Sequence, residues 1–570
     1  MSENKVTVFG KNAEERLEIL RDEKGNILLT DDQKRAVLER GRILVSASAG
    51  SGKTSTMVKR IIVMISEGTT LKNLLVLVYN NAAADELKEK LHQELFKAAC
   101  ASSGEKRDRF RQEIDELPFC HICTIHAFCQ SLIRENFDKL GISPTFDVLD
   151  ETRHASYMNR ALDDVIATYT ASGDETFCEL ADIFSQSRKE ENLKSNLIKF
   201  YGLIEIQPDE EEFERCVSEC YDSYENSKFF AILQDYYKTF FANAKNALLP
   251  IKTQLEVLAP TSKYLQSLAV AICFCDEIES KSRLFDMCTL ASKYEKPRAT
   301  VSPKASDEEK LLDGYVKDYL KQFHDAIDEM KEICNRQDSL ESAHEQNSKY
   351  VKKLVEVAQT FAKKLEELKQ EDNVLSFEDL QHKALELLSH DEYELSGDFD
   401  AVFVDEYQDV NPTQEAIIRK LVKGECFMVG DVKQSIYGFR LADPAIFISR
   451  QNAYEESVKE GTNVYFNRNF RSAYGILDFV NGVFDSAMTK ASADVDYKKD
   501  ARFELKDVAP VKLEGVSPEG YVQVHLFVKQ KSESVPSFGL YDIEKDEGEE
   551  DDEASSQEGN FIASEIQKLV

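Results

Sequence analysis

No stretch of this chain reaches the eighteen consecutive apolar residues that a membrane-spanning helix needs. The opening residues Met1-Ser2-Glu3-Asn4-Lys5 begin no apolar signal segment either. These two absences lead us to expect a soluble, cytoplasmic protein with no membrane role. Positive charge is scarce: 71 Lys and Arg stand against 104 Asp and Glu, a formal net charge of −33. Phosphate contacts need cations, so strong non-specific attraction to nucleic acid at raised salt is excluded. Net charge is an average, however, and a local channel still decides binding. Part of the excess is concentrated in residues 541–560, with ten acids and one lysine, which read as a solvated loop or disordered segment. Twelve cysteines in 570 residues are an ordinary density, and in the cytosol they stay reduced. No internal repeat is present.

The chain is too long for one core, so three or four domains are expected. Up to about residue 148, apolar runs alternate with amphipathic stretches, as βα units do. Strands are expected at 43–46, 74–78 and 119–124. Between about 150 and 375 glycine and proline become sparse. There apolar residues recur at three and four, as in Leu354, Val355, Val357, Ala358, Phe361 and Leu365. This pattern predicts a helical domain inserted between two halves of one sheet domain. Gly141-Ile142-Ser143-Pro144 and Gln370-Glu371-Asp372-Asn373 mark its borders. The sheet domain resumes near 398 and runs to about 470. After Ser472 a new unit begins, with a helix from Gly475 to Val480, a strand from Tyr521 to Phe527 and a helix starting at Glu558.

Ala47-Ser48-Ala49-Gly50-Ser51-Gly52-Lys53-Thr54 carries the most chemistry. It follows the apolar run Ile43-Leu44-Val45 and precedes an amphipathic helix. Strand, glycine-rich turn, Gly-Lys-Thr and helix make a phosphate-cradling loop. Backbone N–H groups turn onto phosphate oxygens, and the helix N-terminus adds its dipole. Lys53 is placed for the β- and γ-phosphates, and Thr54 for Mg²⁺. Ala47 stands where the usual first glycine would be. A second element completes such a site: the apolar strand Phe399–Val404 ends in Asp405-Glu406-Tyr407-Gln408-Asp409. An aspartate at a strand end can hold Mg²⁺, here Asp405, and the adjacent Glu406 can deprotonate an attacking water. The plainer reading is an acidic surface loop, which an apolar strand directly before it disfavours.

In this setting the chain resembles a UvrD/RecB-type superfamily 1 DNA helicase. The similar segments run in the family's order from Leu29 to Ser472. Leu29-Thr30-Asp31-Asp32-Gln33 resembles the motif whose glutamine reads adenine. Val78-Tyr79-Asn80-Asn81-Ala82 resembles the first single-strand contact motif, with Asn80 where the family usually has threonine. Thr124-Ile125-His126-Ala127-Phe128-Cys129 resembles the next motif. Gly430-Asp431-Val432-Lys433-Gln434-Ser435-Ile436-Tyr437-Gly438-Phe439-Arg440 resembles the motif coupling ATP to DNA. Asn469-Phe470-Arg471-Ser472 resembles the arginine motif at the domain boundary. Within that group the chain is most similar to the A subunits of AddAB helicase–nucleases. Leu375-Ser376-Phe377-Glu378-Asp379-Leu380, Asn411-Pro412-Thr413-Gln414-Glu415 and Gly438-Phe439-Arg440 support that branch. Repair helicases usually carry tryptophan in the last of these, a residue this chain lacks altogether.

The resemblance implies an α/β fold. Its RecA-like P-loop ATPase domain 1A, a parallel sheet, would span 1–148 and 376–470. An inserted α-helical domain 1B would span 149–375, helping to hold DNA. Residues 471–570 would begin a second RecA-like domain, 2A, apparently truncated and carrying the acidic stretch. The implied function is an ATP- and Mg²⁺-dependent 3′→5′ DNA helicase in double-strand-break repair and recombination. The implied partners are single-stranded and duplex-end DNA and, as a heterodimer, a helicase–nuclease B subunit. Gln33 would contact adenine, Gln434 would sense the γ-phosphate, and Arg471 would stabilise charge developing there. Their bland readings are a helix-cap glutamine, a loop glutamine and a seam salt bridge. Tyr79, Tyr437 and Phe439 would stack bases. Asn81, Thr124, His126 and Arg440 would be polar contacts. The family's later motifs have no counterpart before Val570, and no paired carboxylates with a lysine mark a nuclease after residue 472. This chain alone is therefore expected to bind ATP, hydrolyse it slowly and fail to unwind duplex. The rival readings are a monomeric repair helicase and a non-catalytic ATP-binding fragment or interaction module.

Cys120-His121-Ile122-Cys123, followed by His126 and Cys129, has metal-ligand residue types at suggestive spacing. An expected strand there points alternate side chains to opposite faces, so zinc is not expected.

Overall fold

Six parallel strands form the central sheet in the order β3-β2-β6-β7-β1-β8. The strands are β1 (Arg42–Ala47), β2 (Leu74–Val78), β3 (His121–Thr124), β6 (Ala401–Val404), β7 (Glu425–Gly430) and β8 (Thr462–Phe466). Two short strands, β4 (Asp147–Val148) and β5 (Val374–Leu375), pair separately in parallel. This computed structural model describes residues 13–505, apart from 23, 185–190, 223, 225–226, 300–306, 391–398 and 490–495. The expected strand at 521–527, the helix from Glu558 and the acidic stretch 541–560 lie outside the described residues.

Alternation builds two cores from one sheet. Leu74, Val76 and Val78 pack on one face with Ile43, Val45, Ala401 and Phe403. Leu75 and Leu77 pack on the other with Leu44, Val402 and Val404. Each of these strand residues is buried on one side or the other, which is why the strands read as continuous apolar runs rather than alternating ones. The expected strand at 119–124 starts later, at His121, because Leu117–Phe119 form a 3-10 turn with Pro118 in it. Cys120 accordingly packs at the first face, whereas Cys123 and Cys129 pack at the second.

The helix after β1, Lys53–Glu67, is anchored by Arg60, whose guanidinium is fully buried. It donates to the carbonyls of Ala36 (2.7 Å) and Glu39 (2.6 Å) and pairs with Glu425 at 3.1 Å. Burial brings its pKa down to about 10, with Glu425 opposing the fall. A buried charge of this kind is tolerated only because it is paired and hydrogen-bonded.

Every described element between β4 and β5 is helical, from Glu151 to Glu371. These helices build two separate cores. One gathers Leu162, Phe177, Leu197, Tyr201, Phe361 and Leu365. The other gathers Phe241, Leu268, Phe274, Met287, Phe323 and Met330. The 35-residue helix Gln337–Glu371, about 52 Å long at the usual rise, returns the chain to β5.

Contacts divide the chain at Phe466 and Asn467. In the second unit the helix Tyr474–Ala487 is longer than the 475–480 expected from sequence. Asn481 accepts from Tyr497 Oη (2.9 Å) and from the Phe503 N–H (3.1 Å) and ties this unit together.

Candidate functional site

The phosphate loop turns sharply between β1 and its helix. Gly50 and Gly52 sit at φ of 72° and 86°, in the left-handed region that side chains rarely tolerate. A Cβ on Gly52 would also lie 3.0 Å from Gln33 Nε2. Ala47 ends β1 fully buried, at the start of this turn. Thr56 Oγ1 donates to the Gly52 carbonyl at 2.9 Å. Among the loop side chains, Ser51 Oγ is buried with no hydrogen-bond partner.

Gln33 is both a helix-cap residue and a neighbour of the phosphate loop. Its backbone and side chain complete a capping box with Thr30, at 3.2 and 3.0 Å. Its amide also donates to the Ser51 carbonyl at 2.9 Å, and the residue is only 6% exposed.

The acidic strand end meets this loop across the sheet. Lys53 Nζ pairs with Glu406 Oε2 at 2.8 Å, joining residues 353 positions apart. Glu406 has a left-handed backbone, φ 49° and ψ 46°, without being glycine. Such strain persists only where the surroundings impose it. Here Asp405 Oδ1 accepts from the Glu406 N–H at 3.1 Å. Burial, then the neighbouring Glu406, pushes the Asp405 carboxyl up to about 6, with Lys53 opposing. Asp409 is raised to about 6 for the same two reasons. These are carboxylates crowded into a poorly solvated place with one cation beside them. The hard oxygen donors of Thr54 and Asp405 are the ligand type Mg²⁺ takes.

Gln408 links this acid loop to the next strand end. Its Nε2 donates to Glu406 and Asp409, each at 3.0 Å. Its Oε1 accepts from the Asp431 N–H at 2.9 Å. Gly430 leaves room for it: a Cβ there would collide with Gln408 Oε1. Gln434 donates to Asp431 Oδ2 at 2.6 Å, so the expected γ-phosphate sensor is held by a buried aspartate here. In the sequence Gln408 stands out only as part of its motif. Its role comes from packing between two strand ends, which no local pattern shows.

From Asp405, Glu406 and Asp409 a cleft of about 480 Å³ extends to an aromatic wall. Tyr79 and Tyr437 stack at 4.8 Å with 25° between planes, and Phe439 lies 5.8 Å from Tyr437. Phe439 is 77% exposed. The Arg440 guanidinium sits 6.0 Å from the Tyr437 and Phe439 rings and 3.4 Å from the Tyr79 hydroxyl. Phe377, absent from the sequence-based candidates, also lines the cleft, edge-on to His126 at 5.0 Å. In sequence its segment serves only to separate branches of the family. Burial holds His126 below its usual range, and it shares a hydrogen bond with Gln381 at 3.1 Å.

The remaining candidates lie at helix starts or in the second unit. Thr124 Oγ1 caps the helix Ile125–Glu135 by accepting from Ala127 at 3.2 Å. Asn80 caps the helix Asn81–Ala101 by accepting from Ala83 at 2.8 Å, and Asn81 begins that helix exposed. Arg471 lies in the second unit, exposed, its N–H donated to Asn469 Oδ1 at 2.8 Å. Of the residues lining the cleft, Arg440 alone is Lys or Arg, against Glu151, Glu378, Asp405, Glu406 and Asp409.

The chain is similar to known proteins over most of its length. The family model described as the UvrD/REP helicase N-terminal domain matches residues 29–263 and 231–455. The A subunit of an ATP-dependent helicase/nuclease from Enterococcus faecalis is 30% identical over 84% of this chain and 40% of its own length. The protein of the same name from Bacillus velezensis is 30% identical over 95% of the chain and 45% of its own length. That from Clostridium beijerinckii is 27% identical over 96% and 46%. The chain thus spans less than half the length of these curated relatives. Among the described residues, no helix is long and apolar enough to cross a membrane.

Proposed function

The chain belongs to the UvrD/REP helicase family, and from that premise we propose that it is the ATP-driven DNA-translocating part of a helicase–nuclease. It moves 3′→5′ on single-stranded DNA, pairs with a B subunit, and serves double-strand-break repair and recombination. Its relatives are named as A subunits of ATP-dependent helicase/nucleases, which supports an assembly of more than one chain. Residues 1–148 and 376–470 act as the ATPase domain, 149–375 as an inserted domain that helps to hold DNA, and 471–570 as the start of a second RecA-like domain.

One observation carries the reading: the Lys53–Glu406 pair, 2.8 Å long, at the head of a cleft whose far wall is stacked tyrosine. Lys53 exchanges Glu406 for β- and γ-phosphate oxygens, while the backbone N–H groups of 48–53 face the phosphates. Released from Lys53, the Glu406 carboxylate accepts a proton from the attacking water. Thr54 and Asp405 would hold Mg²⁺, which when bound would supply charge neutralisation for the phosphates. Gln33 orients the base and Gln434 meets the γ-phosphate, and Arg471 keeps the role that the family resemblance implies for it. Tyr79, Tyr437 and Phe439 stack bases without regard to sequence, with Asn81, Thr124, His126 and Arg440 as polar neighbours.

Nucleotide titration of Lys53→Ala tests the assignment. Affinity for ATP should fall at least tenfold, since a cation on two phosphates is removed. Unchanged affinity would overturn it.

A further inference from the structure

We propose that His154, Glu205 and Glu378 together bind a divalent transition-metal ion, Zn²⁺ or Mn²⁺, at a site apart from the nucleotide. The three residues come from three helices. His154 stands in the first turn of Glu151–Ser172, Glu205 ends Glu191–Glu205, and Glu378 stands in the first turn of Phe377–Ser389. One imidazole nitrogen and one oxygen from each carboxylate lie within 4.8 Å of one another. Ligands bound about 2.0–2.2 Å from a common ion sit roughly 3–4 Å apart, a spacing that small side-chain rotations reach from here.

The second observation is unpartnered polar groups. Glu205 is only 7% exposed, and its Oε1 is buried without a hydrogen-bond partner. His154 Nε2 is likewise buried without one. An orphaned carboxylate oxygen and an orphaned imidazole nitrogen within one cluster are costly unless something joins them. The cation that acts on Glu205, Lys369, is committed elsewhere: it donates to Asp379 at 2.6 Å and pairs with Glu366 at 3.8 Å. A divalent ion satisfies the orphaned atoms and both carboxylates at once. The donor set selects the ion, since an imidazole with two carboxylates suits Zn²⁺ or Mn²⁺, whereas Mg²⁺ and Ca²⁺ favour oxygen alone. Three protein ligands also leave a position open.

The placement gives the ion a task. Glu378 and the adjoining Phe377 line the cleft, and Glu151 lines it one turn before His154. The ion would pin two helices of the 151–371 segment to the helix Phe377–Ser389, which follows β5. The Leu375–Leu380 segment thereby acquires chemistry: Ser376 and Asp379 cap the helix, and Glu378 faces the cluster.

The test uses the whole chain, stripped with a chelator and titrated with Zn²⁺ and with Mn²⁺ by calorimetry in the absence of nucleotide. One ion per chain is expected, with a rise in melting temperature. Affinity should fall at least tenfold in His154→Ala and in Glu378→Gln, and Cys120→Ser should leave it unchanged. Circular dichroism of the two variants checks that they fold. Should either unfold, Co²⁺ in the wild-type chain decides: a nitrogen–oxygen spectrum without thiolate charge transfer supports the site. No stoichiometric binding, equal binding in folded variants, a thiolate band or equal competition by Mg²⁺ would each overturn it.

Discussion

The phosphate loop with its acidic neighbours and the aromatic wall solve opposite problems. At the phosphate end, Gln33, Asp431 and Gln408 are almost fully buried, and each of these three is held by hydrogen bonds to its neighbours. At the aromatic end, Phe439 and Ile436 stand mostly in solvent. Charge chemistry on phosphates gains from a dry, preorganised frame, because electrostatic interactions strengthen as water is excluded. Base stacking instead needs an open ring face and tolerates a mobile partner. The Tyr79–Tyr437 stack sits between these regimes, with the two rings proposed to stack bases meeting each other.

The largest expected effect falls at the phosphate end. Glu406→Gln keeps the shape and removes the base, so ATP should still bind while its hydrolysis falls by about 10²–10⁴-fold. A single-turnover hydrolysis assay beside a binding titration reads both, and undiminished hydrolysis would move the base elsewhere. At the aromatic end, Tyr437→Ala should weaken oligonucleotide binding by about 1–3 kcal/mol, equally for different sequences. A loss confined to one sequence would mean that base edges are read instead. The smallest effect concerns charge. Arg440 is the single Lys or Arg in the cleft lining. Arg440→Ala should therefore lower the slope of log affinity against log salt by roughly 0.7–1, while binding at low salt changes modestly. An unchanged slope would place the phosphate contacts outside this cleft.

Much of the phosphate end is legible in the sequence because its signals are local. A strand running into Gly52-Lys53-Thr54, and another running into Asp405-Glu406, are patterns a few residues long. Their meeting follows from parallel strands presenting the same ends to one edge of the sheet. The strands themselves are legible for a similar reason, since burial on both faces turns β2 into five apolar residues. The helical segment is less so. Its periodicity marks helices, yet nothing in it tells that Phe361 and Phe323 belong to different cores. That outcome depends on which helix faces meet across a hundred or more residues. Phe377 and Gln408 escape sequence reading in the same way, since their neighbours come from distant segments. The cluster of His154, Glu205 and Glu378 is the extreme case, drawn from three helices with no shared spacing.

Gln408 has one more consequence, mechanical rather than chemical. An amide is a rigid plane, and this one is grasped at both ends: its nitrogen by Glu406 and Asp409, its oxygen by the Asp431 N–H. The Gln408 backbone carbonyl accepts from Ser435 Oγ at 3.3 Å, two residues before Tyr437. With no room for a side chain at Gly430, the plane has little slack in which to tilt. Were Glu406 to shift on losing Lys53, this one stiff strut would join its displacement to the loop that carries the stacked tyrosine.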